Sequence, residues 1–133
     1  MENLERMARE YREILEHTSP DSTLSIEQII IIEENQLELL GCIQKASPPA
    51  LKVVNYIKNL IFRILNKLSN LLGEPSYVPR FKSGSVYCNS IPNALLGSQI
   101  DIFVLLDGLN LSFVDIAEIL SLENRKLGFI SSL

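Results

Sequence analysis

Histidine is nearly absent from this 133-residue chain, cysteine occurs twice, and no long apolar run is free of charge. Each scarcity removes a class of function. His17 is the one histidine, so a serine or cysteine nucleophile has a single candidate base of the usual kind. It lies where a first helix is expected to run out, and an imidazole there interacts favourably with the carbonyl end of the helix. Cys42 and Cys88 stand far apart, without CxxC spacing. They suggest neither a zinc site nor a disulfide framework, and both are expected to be reduced, structural thiols of a cytosolic or nuclear protein, with the cytoplasm the expected address. A metal would then need carboxylates alone, and Glu33, Glu34 and Glu38 read as helix surface. GxSxG, P-loop and GxGxxG patterns are missing as well. No catalytic, metal-ligating or cofactor-binding residue is assigned. The chain is expected not to be an enzyme and to need no cofactor.

Basic charge is also scarce. Twelve Lys and Arg face sixteen Asp and Glu, a net charge of -4, whereas nucleic-acid binding selects a basic surface that displaces counterions from phosphates. Ser112–Leu120 resembles the first helix of a helix-turn-helix motif, but the segment after Leu120 has only Arg125 and Lys126 as basic residues. DNA binding is not expected. The longest apolar stretch, Leu51 to Leu72, contains Lys52, Lys58, Arg63 and Lys67, each costing about 3 kcal/mol at a bilayer centre. It reads as a core helix, with no membrane partner. The opening MENLERMAREYRE is charged throughout, unlike a signal peptide. There is no internal repeat, low-complexity tract or linker, so residues 1–133 are expected to form one domain.

The positive signal is helical periodicity. Leu4, Met7, Ala8, Tyr11, Ile14 and Leu15 predict an amphipathic helix over 3–17. Ser25 with Gln28 forms a capping box that opens a helix over 26–45 despite the β-branched run Ile29–Ile32. Ser47-Pro48-Pro49 ends it. A helix over 50–72 has the broadest apolar face, with Gly73 as its terminator. Opposite that face runs a polar row: Tyr56, Asn59, Arg63, Asn66, Lys67 and Asn70. Prolines, serines and a glycine break up residues 74–92, which predicts a long loop with a short strand pair. Ser98 with Asp101 is read as the cap of a helix closing at Gly108, and Ser112 with Asp115 as the cap of a last one. The closing GFISSL is read as a terminal strand. The expected fold is mainly α: a compact helical bundle of five or more helices with at most a small β element.

From Asn70 onward the sequence resembles the PUB (PUG) domain family. Asn70-Leu71-Leu72, Pro75, Arg80 and the FVLLDGL segment with Gly108 match that family's pattern of an asparagine-ending helix, proline, arginine loop and last core helix. Ala8-Arg9-Glu10 and Ser25-Ile26-Glu27-Gln28-Ile29, with the loop GSVYCNSIPNALL from Gly84, are similar to the branches found in linear-ubiquitin ligases and in the adaptor that recruits CYLD. The resemblance covers about residues 8–110. It departs from the pattern at Lys67, where the ligase branch has a tyrosine, at Arg80, one residue off register, and at Leu109, where the family has an aromatic.

The resemblance implies a protein–protein interaction module, the N-terminal part of a larger ubiquitin-pathway protein. Its partner would be a short acidic motif with an Asp-Leu-Tyr-like core, of the valosin-containing AAA ATPase, OTULIN or CYLD-adaptor type. The implied peptide-binding residues are Lys67, Asn70, Arg80, Lys82, Tyr87 and Asn89. Arg63, Lys67, Arg80 and Lys82 are expected to form a cationic patch, with Tyr77, Phe81 or Tyr87 lining an apolar slot. A monomer is expected. The alternative is a helical assembly or scaffold subunit that binds a partner helix through an apolar face.

Overall fold

Ser25 begins the first described helix as its side chain predicts. Its Oγ accepts from the Gln28 amide at 3.2 Å, and its own amide donates to Gln28 Oε1 at 3.1 Å. In the computed structural model, residues 25–46, 51–80, 91–107, 109 and 111–133 are described. They form α1 (Ile26–Ala46), α2 (Leu51–Leu71), α3 (Ile91–Asp107) and α4 (Phe113–Ile130). α1 packs against α2 and α3, and α4 packs against the same two. The result is a ring of four helices with α1 and α4 on one diagonal. α2 and α4 run antiparallel: Tyr56 meets Phe129 across that interface, and Lys67 meets Asp115.

Packing overrides local preference in α1. Ile29 and Ile30 are wholly buried, whereas Ile31 is 41% exposed; the isoleucine run wraps around a helix instead of alternating across a sheet. α2 contributes Val54, Ile57, Ile61, Ile64, Leu65 and Leu68 to the core at zero exposure. It ends in a Schellman arrangement: the Glu74 amide reaches the Ser69 carbonyl and the Gly73 amide reaches that of Asn70, both at 3.0 Å. Gly73 supplies the left-handed turn, at φ 86°.

The expectation of five or more helices with a small β element is overturned. The described residues form four helices and no strand. The helix read over 3–17 lies outside them, and so do residues 81–90, within the region where a strand pair is expected; residues 74–80 are irregular. The helix assigned to Ser98 begins a full two turns earlier, at Ile91. Pro92 falls in its first turn, where a missing N–H forfeits no helical bond, and Ser98 lies in the interior. GFISSL is no strand: α4 continues through Ile130, which is 3% exposed. Phe129 packs against Tyr56 with the rings tilted at 45° and their centroids 4.3 Å apart. Burial of these two side chains holds the last turn helical.

Two side-chain expectations are also corrected. Glu33 and Glu34 are not helix surface: they are 0% and 5% exposed. Cys42 is not a free thiol, being disulfide-bonded. The one other cysteine of the sequence, Cys88, lies outside the described residues.

Candidate protein-interaction face

Beyond Gly73 the chain turns back across α2. The Tyr77 amide donates to Asn66 Oδ1 at 3.3 Å, and the Tyr77 ring meets Phe62 edge-on, centroids 6.5 Å apart. Three residues later the Arg80 amide donates to both oxygens of Glu34 on α1, at 3.2 and 3.0 Å. Residues 74–80 are thus a strap from the end of α2 to α1. Tyr77 also bonds Glu34, and its phenol stays protonated well above the usual tyrosine range, through burial first and then the Glu34 bond and charge. Buried Glu34 is the strap's anchor.

The predicted site residues divide around this strap. Arg80 belongs to it, but its guanidinium is paired with Glu74 and also donates to the Val78 carbonyl. It is a half-buried structural cation, not a free loop charge. Lys67 lies on the opposite flank of α2, 2.9 Å from Asp115 and 3.2 Å from Glu118 of α4. Those two carboxylates hold its ammonium above the usual lysine range. Asp115 is held below the ordinary carboxylate range, first by the Ser112 hydroxyl and then by Lys67. Asn70 is exposed on the outer face between these flanks. Lys82, Tyr87 and Asn89 lie outside the described residues, as does Phe81.

The expected cationic patch is therefore not a set of free charges among the described residues. Lys67 and Arg80 are neutralised by neighbours, while Arg63 is exposed and takes part in no ion pair there. The structure brings the strap to α2 through Asn66, one turn before Asn70. It also exposes two apolar residues that the sequence pattern did not single out: Phe62, 45% exposed, and Val78, 57% exposed. Phe62 interrupts the polar side of α2 between Asn59 and Arg63, and that break in periodicity was the available signal.

A second exposed apolar pair opens α4. Phe113 is 88% exposed and Val114 72%, on the turn capped by Ser112, whose Oγ accepts from the Asp115 amide at 3.2 Å. Among the described residues no helix is long and apolar enough to cross a membrane. No family model, curated protein or solved structure matches the chain.

Proposed function

We propose that this chain is a non-catalytic, monomeric protein-interaction module that docks a short acidic peptide across the outer face of α2 and the strap. The observation that carries the reading is exposed Phe62 on α2 with Tyr77 edge-on against it, on a strap that is held at Asn66 and Glu34 and exposes Val78 next in sequence. A peptide's apolar side chain covers Phe62, the Asn59 and Asn70 amides bond its backbone, and Arg63 meets its carboxylate. The PUB resemblance supplies the ligand chemistry, an Asp-Leu-Tyr-like core carried by a ubiquitin-pathway partner. One short peptide against such a face binds in the micromolar range, since ordering the ligand opposes the contact energy.

Fluorescence anisotropy with a labelled Asp-Leu-Tyr-type peptide tests this. Arg63→Glu should weaken binding about tenfold, roughly 1.4 kcal/mol, and added salt should weaken the wild type. A peptide that binds both proteins equally removes the proposal.

Phe113 and Val114 favour a second reading, an assembly subunit that associates through the start of α4. Light scattering separates the two readings, because only the second requires a mass that rises with concentration.

We place the module in the cytoplasm within the same proposal, and the Cys42 disulfide opposes that placement because the cytosol keeps thiols reduced. Two free thiols in protein taken from its own cell support the cytoplasmic address. A disulfide there overturns it.

A further inference from the structure

Three ionisable groups meet in the dry middle of the ring. Lys126 Nζ on α4 lies 2.7 Å from both oxygens of Glu33 on α1 and 2.7 Å from Glu123 Oε2, one turn back on its own helix. All three side chains have zero exposure. From α3 the cluster is faced by Gln99, whose Nε2 donates to Glu123 Oε2 at 2.7 Å. α2 contributes nothing that ionises, since its buried face is aliphatic apart from Ser69. Glu34, the next carboxylate on α1, is turned to the strap and its Arg80 amide. Gln36 is committed through Nε2 to the Leu95 carbonyl of α3.

Charge balance then makes a demand. One ammonium against two carboxylates leaves an excess negative charge, and no further cation reaches the cluster among the described residues. Burying uncompensated charge is far costlier than retaining a proton. We propose that Glu33 keeps its proton beside Lys126 and Glu123 in the folded chain, and that losing this proton to solvent base loosens α1 from α4. Retained, it leaves one carboxylic acid, one carboxylate and one ammonium, with no net charge. Lost, it leaves two carboxylates within reach of one cation.

The titration of Glu33 agrees with this arrangement. Burial, then the charge of Glu123, drives its carboxyl well above the ordinary glutamate range, against the pull of Lys126. In the unfolded chain a glutamate titrates near about 4.3. The stability contributed by the proton on Glu33 is therefore complete below that pH and is lost as pH rises through the raised folded value. Within that window the unfolding equilibrium constant grows about tenfold per pH unit.

The test uses the full chain in two measurements. Carboxyl-carbon NMR of the wild type should show one glutamate, Glu33, still protonated where an ordinary glutamate has already titrated. Urea unfolding between pH 5 and 9 should show the wild type losing about tenfold in folding equilibrium constant per pH unit relative to Glu33→Gln, until that carboxyl has titrated. If Glu33→Gln fails to fold, the wild-type NMR titration and Glu123→Gln decide the matter. Glu33 titrating in the ordinary glutamate range, or parallel pH profiles for wild type and variant, overturn the proposal.

Discussion

Arg125 and Lys126 are adjacent in the sequence and opposite in environment. Arg125 is exposed and donates to the Tyr56 hydroxyl, whereas Lys126 is wholly enclosed. A count of basic residues treats them alike; their helical positions do not. Ile119, Leu122, Glu123, Lys126 and Ile130 are the buried residues of α4, spaced as one inward stripe. Glu33 likewise falls in step with Ile29, Ile30, Gln36 and Leu40, all at zero exposure. The periodicity was legible, but the charged residues on it read as solvent-facing because charges are rarely buried unpaired. Their partners are remote: Glu33 and Lys126 are 93 residues apart, beyond the reach of any local pattern. Lys126→Met should cost about 3–5 kcal/mol, because it leaves the buried negative charge of the Glu33–Glu123 cluster without its cation. A loss under about 1 kcal/mol in urea denaturation would show that water reaches the cluster. At Gly73 the cost is confined to the backbone. A Cβ there meets nothing within 4 Å, but φ is 86°, so Gly73→Ala should lower stability by about 1–2 kcal/mol in the same assay.

Helices whose ends carry their own chemistry were the readable elements. The Ser25–Gln28 box, the Gly73 terminator and the Ser112 cap all lie where the sequence predicts them. Ser112→Ala should cost about 1 kcal/mol by thermal melting, through loss of the bond to the Asp115 amide. The start of α3 is hidden for a reason that generalises: Pro92 marks a boundary in either direction, and without neighbours it reads as loop. The interior pair Ser98 and Asp101 then offers a second, false start. At the other end, Gly128 and two apolar residues resemble a strand only until Tyr56 supplies the surface that Phe129 packs on. α2 has no such ambiguity. Leu65 is fully buried in its second half, and Leu65→Ala should cost about 2–5 kcal/mol in denaturant unfolding.

Across the whole molecule, the exposed apolar side chains of the described residues include Phe62 and Val78 around the strap and Phe113 and Val114 at the start of α4. The direction of the site was legible in part. The row from Tyr56 to Asn70 separates correctly from the core, although Lys67 within it is half-buried against α4. Arg80 is correctly linked to the region after α2, but its charge is satisfied by Glu74, a pairing that a count of cations cannot reveal. The central claim is that the strap patch, not the α4 patch, receives a partner. Backbone-amide NMR of the isotopically labelled chain, titrated with an Asp-Leu-Tyr-type peptide, tests it most directly. The account predicts shifts concentrated at Phe62, Arg63, Asn70, Tyr77 and Val78, with residues 113–117 unmoved. Peptide that leaves those five residues unshifted, while residues 113–117 shift as the chain alone is concentrated, would contradict it and favour the assembly reading.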